Sequence, residues 1–114
     1  MDPRKAKGLE TENFFETEFL KNNYKIIGRE LSFENTKGRA DFVLTKANGI
    51  YLVEIKSHKW VGTSFERIIS AKQMKAYLIM GMELKRKFPQ ADIYFWLLAK
   101  TSHAQVHSFL QKIL

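Results

Sequence analysis

Three charged residues stand in a stretch that otherwise reads as a buried β-hairpin: Asp41, Glu54 and Lys56 within GRADFVLTKANGIYLVEIKSHK, residues 38 to 59. The Asn48-Gly49 dipeptide is a strong hairpin signal, so the spacing predicts strands over Asp41 to Lys46 and Ile50 to Ser57 joined by a two-residue loop. Counting outward from that loop pairs Ala47 with Ile50, Val43 with Glu54 and Asp41 with Lys56. All three charges then share one face, while Phe42, Leu44, Val53 and Ile55 share the other, as a core requires. Direct cross-strand neighbours lie about 5 Å apart and diagonal ones about 7–8 Å, so Asp41 and Glu54 can offer oxygens to one ion with the Lys56 ammonium beside them.

A second acid anomaly lies upstream. GLETENFFETEFLKN, residues 8 to 22, has helical spacing, with Leu9, Phe15, Phe19 and Leu20 on one side. Glu10 and Glu18 project onto the polar side, whereas Glu12 falls within the apolar stripe and Glu16 one turn beyond it. A carboxylate there needs a partner. Taken alone, Glu12 suits a structural ion pair with an arginine or with Lys56. With Asp41 and Glu54 it forms a like-charge cluster of the kind found at functional sites. Oxygen ligands, with no cysteine in the chain and no histidine in the cluster, suit Mg²⁺ or Mn²⁺ better than Zn²⁺. A carboxylate-bound hard cation with a lysine alongside is chemistry for hydrolysing a phosphodiester.

The elements that must position these groups form a single domain, residues 1–114. The chain has 114 residues, 45% of them hydrophobic, enough for one core and too few for two. Ile93 to Ala99, the longest apolar run, is far short of the ~20 residues a membrane span needs. No apolar stretch follows the basic N-terminus as a secretory signal would require, and cysteine is absent; a cytoplasmic, intracellular protein is expected. The net charge of +7 favours a polyanionic partner, most simply nucleic acid.

After the first helix, YKIIGRELSF reads as a strand with an irregularity at Gly28, followed by the hairpin. TSFE, residues 63 to 66, fits a capping box opening a long helix that stops before Pro89. DIYFWLLAK reads as a strand covered on both faces. SHAQVHSFLQKIL reads as an amphipathic helix over about 102–114, with Val106, Phe109, Leu110 and Ile113 apolar. The predicted order is α-β-β-β-α-β-α, a mixed central sheet flanked by helices.

These residues and this order resemble the PD-(D/E)XK nuclease superfamily, with its restriction-endonuclease-like α-β-β-β-α-β core. Asp41 in GRADFVL is similar to the motif Asp, and Glu54 and Lys56 in VEIK to the Glu-x-Lys. Glu12 is similar in position to the helix Glu of Holliday junction resolvases of the archaeal type, with Glu16 as the other choice; FLKNNYKII also resembles that group. Ala40 stands where the superfamily commonly has proline. The resemblance spans residues 8 to about 100. It implies Mg²⁺ or Mn²⁺ held by Asp41, Glu54, the Ile55 carbonyl and Glu12, with Lys56 assisting the attacking water. It also implies DNA as substrate.

Gln73 and Tyr77, one helical turn apart, resemble the Gln-x-x-x-Tyr motif of RecB-type nuclease domains; Tyr77 equally suits a core position with its hydroxyl at the edge. Arg39, His58, Lys59 and Lys72 are candidate nucleic-acid contacts. Trp60 suits either base stacking or packing under its loop. His103 and His107, four apart, lack a third zinc ligand and read as surface residues. The expectation is a metal-dependent DNA endonuclease, with selectivity for branched or otherwise structured DNA as one option. YFWLL and the last helix offer apolar surface for a homodimer. The alternatives are a non-catalytic nucleic-acid-binding or assembly subunit, and a RecB-type nuclease acting on DNA ends.

Overall fold

The computed structural model describes residues 3–34, 36–58, 69–101 and 105–114. Its elements are α1 (Pro3–Lys21), β1 (Lys25–Ser32), β2 (Arg39–Lys46), β3 (Gly49–His58), α2 (Ala71–Lys87), β4 (Asp92–Thr101) and β5 (Val106–Lys112). The strands form one sheet in the order β1-β2-β3-β4-β5, antiparallel except for the parallel β3–β4 pair. A parallel neighbour requires a crossover, and α2 lies within that connection. No helix among the described residues is long and apolar enough to cross a membrane.

Each face of the sheet carries its own core. On one, Val43, Leu52, Ile93, Phe95 and Leu97 are buried with Tyr77, Met80 and Leu84 of α2. On the other, Phe42, Leu44, Val53 and Leu98 are buried with Phe15 and Phe19 of α1. Burial of each such side chain contributes about 1.5–3 kcal/mol, so the two clusters dominate stability. Two residues expected on the buried side of α1 are not there: Leu9 is 50% and Leu20 57% exposed. Asn23 ends the helix at φ 66, and the Tyr24 amide donates to the Phe19 carbonyl at 3.0 Å. Gly28 marks a register shift in β1–β2, as its position predicts.

The hairpin turns one residue earlier than Asn48-Gly49 suggests. Lys46 pairs with Gly49 and Thr45 with Ile50, so the loop is Ala47-Asn48 and Val43 lies opposite Leu52. Ala47 carries the positive φ, 53, that the turn requires. Asn48 is held from outside the hairpin: its side chain donates to the Gln90 carbonyl at 2.7 Å and its carbonyl accepts the Asp92 amide at 3.0 Å. This anchoring to the start of β4 overrides the local preference. The slip is by two residues, so the faces keep their composition. Ala47→Gly should relieve left-handed strain, gaining about 0.5–1 kcal/mol, read as a higher urea midpoint at unchanged m-value.

Two further expectations change. The helix carrying Tyr77 does not run unbroken from residue 63; its N-cap is Ser70, whose side chain accepts the Gln73 amide while the Gln73 side chain accepts the Ser70 amide. TSFE itself lies outside the described residues. The C-terminal segment is a strand instead of a helix: Val106–Lys112 pairs antiparallel with β4, and the Ile113 amide donates to the Ile93 carbonyl at 2.8 Å. Pairing satisfies the β4 backbone on that side, which a helix would leave open.

Candidate active site

The site forms where two strands part. The β2–β3 ladder runs from Lys46–Gly49 to Phe42–Val53, while β2 continues its pairing with β1, and β3 with β4. Just past the last rung, the Ile55 amide donates at 2.7 Å to Oδ2 of Asp41. A carboxylate here takes an amide proton that would otherwise seek a strand carbonyl. Asp41 and Glu54 therefore stand side by side in the opening, on the α2 face.

Glu54 is 8% exposed and held twice. Lys56 Nζ lies 3.1 Å from its Oε1, and the Tyr77 hydroxyl donates to Oε2. Tyr77 Oη also lies 3.4 Å from the Val53 carbonyl and 3.5 Å from that of Arg39, one on each parted strand. Its single proton goes to the carboxylate, which binds it most strongly. Burial, followed by the charge of Glu54, pushes the Tyr77 hydroxyl well above its usual range, so it remains a donor.

Asp41 is pushed up to about 7, chiefly by burial and then by Glu54; Glu12 adds to the rise, while the Ile55 amide and Lys56 oppose it. Among the described residues, Lys56 is the cation that bears on both of these neighbouring acids.

Glu12 reaches this field from α1. Its carboxyl is raised by burial first, then by Glu30, Glu16 and Glu54. The Thr11 and Ser57 hydroxyls, 2.7 Å apart, tie α1 to β3 beside Lys56. Glu16 points elsewhere and pairs with Arg29 of β1. Of the two helix acids, Glu12 is the one whose charge reaches Asp41. Among the described residues, however, no three acids or histidines close on one point: Asp41 and Glu54 are a pair, and Glu12 stands outside it.

The remaining candidates fall as follows. Arg39 opens β2 and is exposed, Lys72 is exposed in the first turn of α2, and Gln73 serves the helix cap. His58 ends β3, paired with Thr101; its side chain, with Lys59 and Trp60, lies outside the described residues. His103 is also outside, and His107 sits on β5, which removes the helical spacing that made the two a pair. The sequence reading missed Glu30, which stands at φ 46 and bears on Glu12. It also missed Thr11 and Ser57. No composition or spacing signal marks these three residues.

The architecture is similar to that of a solved Holliday junction resolvase, Hjc of Archaeoglobus fulgidus, at 19% identity and TM-score 0.57, covering 90% of this chain and 75% of that one. The fold is thus restriction-endonuclease-like. The protein SSO0001 is 16% identical over 96% of this chain and 52% of its own, at a TM-score of 0.47, too low to support an architectural comparison. No curated protein matches the sequence significantly. The chain belongs to the nuclease-related domain family, NERD, whose pattern it matches over residues 7–109. Family and fold together make it a nuclease-type domain.

Proposed function

We propose that the chain is a divalent-metal-dependent DNA endonuclease whose ion is held by Asp41, Glu54 and the Ile55 carbonyl. The observation that carries this reading is the pairing of Asp41 with Glu54 where β2 and β3 part, with Asp41 pushed up to about 7 by burial and its neighbour. Such a pair costs stability unless a cation relieves it. The donors fit a hard cation: all are oxygens, and two carboxylates suffice for Mg²⁺ or Mn²⁺, which retain several waters. When bound, the ion supplies an acidified water and neutralises charge on the phosphoryl oxygens.

The chain's own residues do the rest. Tyr77 and Lys56 fix the two oxygens of Glu54 before any ligand arrives, so no rotamer search is needed on binding. Lys56 pairs with Glu54 and its side chain is 27% exposed, so its ammonium would orient a water or steady charge on the scissile phosphate. Glu12 adds negative potential at the α1 side and can hold an outer-sphere water. Arg39 and Lys72, exposed on β2 and α2, would meet the DNA backbone, and the +7 charge draws the polyanion in.

Incubation with linear, nicked, branched and single-stranded DNA in Mg²⁺, Mn²⁺, Ca²⁺ or EDTA tests this reading. Cleavage should need Mg²⁺ or Mn²⁺ and stop in EDTA. Ca²⁺ should support binding without turnover, because it acidifies water poorly. Undiminished cleavage by metal-stripped protein in EDTA would overturn the metal assignment. A preference for branched substrates would support the structured-DNA option, and cleavage only from termini the RecB-type alternative. Binding without cleavage of any substrate would leave the non-catalytic subunit.

Glu12 and Glu16 separate in the same assay. Glu12→Gln should lower cleavage about 10–100-fold at an unchanged or slightly raised melting temperature, since the swap conserves volume and removes a carboxylate that burial and its acidic neighbours disfavour. Glu16→Gln should leave cleavage within about threefold and cost under about 1 kcal/mol, the worth of an exposed ion pair such as that with Arg29. The reverse ranking would transfer the role to Glu16.

A further inference from the structure

On the sheet face opposite the carboxylates, α1 covers only part of the strands and leaves a groove of about 510 Å³ beside β4 and β5. Phe14, Tyr24 and Trp96 line it over a floor that includes the buried Phe19 and Leu98, with Lys46 at one end. The rings form a row. Tyr24 and Tyr51 each approach Trp96, at 5.4 and 5.9 Å, and Tyr51 stacks on Tyr94 at 4.8 Å with planes 12° apart. Trp96 and the three tyrosines are only partly buried.

Cations stand at both ends. Lys46 Nζ lies 4.8 Å from the Tyr24 ring centre, and Lys100 Nζ 4.5 Å from that of Phe14. Glu18, the groove's acid, has Lys21 at 4.0 Å. Asp92, at the foot of the tyrosine stack, is paired with Lys112 at 3.1 Å. The acids are therefore neutralised locally, and Lys46 and Lys100 leave the groove positive. Lys100 pairs in register with Ser57, the neighbour of Lys56, so one end of the groove lies level with Lys56 on the strand that carries Glu54.

We infer that this groove binds single-stranded DNA, its rings stacking on unpaired bases and Lys46 and Lys100 meeting the phosphates. Several rings in a row, with cations at the ends, suit a strand better than a lone nucleotide, and duplex bases, stacked on one another, have no free face to offer. A second copy of the chain is disfavoured, because a two-fold contact would oppose the same lysines. The inference rests on the reading of DNA as substrate and extends it to a second surface.

The test measures affinity for a fluorescent dodecathymidylate and for a blunt 12-base-pair duplex, both in EDTA, for the unaltered protein and for Trp96→Leu, Lys46→Glu and Lys100→Glu. Trp96→Leu should weaken the single strand about tenfold and the duplex less than about twofold, as loss of one stacking partner requires. The two lysine variants, at exposed or half-exposed positions, should each weaken the single strand several-fold, with a shallower salt dependence. Melting curves establish that each variant is folded. Single-strand affinity unchanged in the lysine variants, or in a folded Trp96→Leu, would overturn the inference. So would a change of sedimentation with affinity intact, which would assign the groove to protein contact. Cleavage plays no part in this readout, so failure of the nuclease reading and failure of the groove are separately visible.

Discussion

Asp41→Asn should remove cleavage, by at least about 10³-fold, and yet make the metal-free protein more stable at pH 8. The loss follows from withdrawing one of two charged ligands for the ion. The gain follows from linkage. Burial and Glu54 raise the folded Asp41 carboxyl to about 7, against about 3.9 in an unfolded chain. Between those values the native state binds the extra proton, so stability is full below about pH 4 and declines as pH rises through 7. An asparagine carries no such penalty and can still accept the Ile55 amide. Each pH unit of displacement is worth about 1.4 kcal/mol, and solvent reaching the half-buried carboxylate reduces the sum, so a gain of about 1–3 kcal/mol is expected at pH 8. It should vanish near pH 4. Chemical denaturation in EDTA at the two pH values reads it directly. A lower stability at pH 8 would mean that Asp41 is the acid of a structural ion pair and that its charge is used to hold the hairpin. The geometry favours the first outcome, because Lys56 pairs with Glu54.

The same carboxylates show what could be read from the sequence and what could not. Period two in a hairpin assigns residues to faces, and a register slip of two preserves that assignment. Asp41, Glu54 and Lys56 were therefore legible as one group although the turn was misplaced. What moved the turn was Asn48, bonded to residues more than forty positions away, which no local rule sees. The start of α2 was set too early for a different reason: Ser70-Ala71-Lys72-Gln73 satisfies the capping-box pattern as TSFE does, and the local pattern alone does not rank the two. The C-terminal strand was unreadable because β5 lies at the sheet edge with every residue exposed. Neither face has to be apolar, alternation disappears, and Val106, Phe109, Leu110 and Ile113 fall into helical spacing. Tyr77 came from resemblance, and the structure gives its physical role in the bond to Glu54.

Lys56→Met provides the complementary experiment, since methionine keeps much of the stem and removes the ammonium. In EDTA at pH 8, Glu54 would lose its counter-charge at 3.1 Å while Asp41 remained beside it. Removing one partner of a buried pair costs about 3–5 kcal/mol; with the lysine side chain 27% exposed, about 2–3 kcal/mol is expected here. Saturating Mg²⁺ should recover most of that loss, because the ion supplies the missing charge. Cleavage should not recover with it, and should stay at least about 10²-fold down, if the ammonium acts on the water or the phosphate. The double variant Lys56→Met, Asp41→Asn separates the two roles. Removing one acid relieves the repulsion that the lysine opposed, so in EDTA Asp41→Asn should stabilise the Lys56→Met protein by more than it stabilises the unaltered one, with a coupling above about 1 kcal/mol that leaves the double variant at least as stable as the unaltered protein. Activity should remain absent. Were Lys56→Met, stabilised by Mg²⁺, to cleave within about tenfold of the unaltered protein, Lys56 would be a counter-ion for Glu54 and the water would have to be oriented by another group.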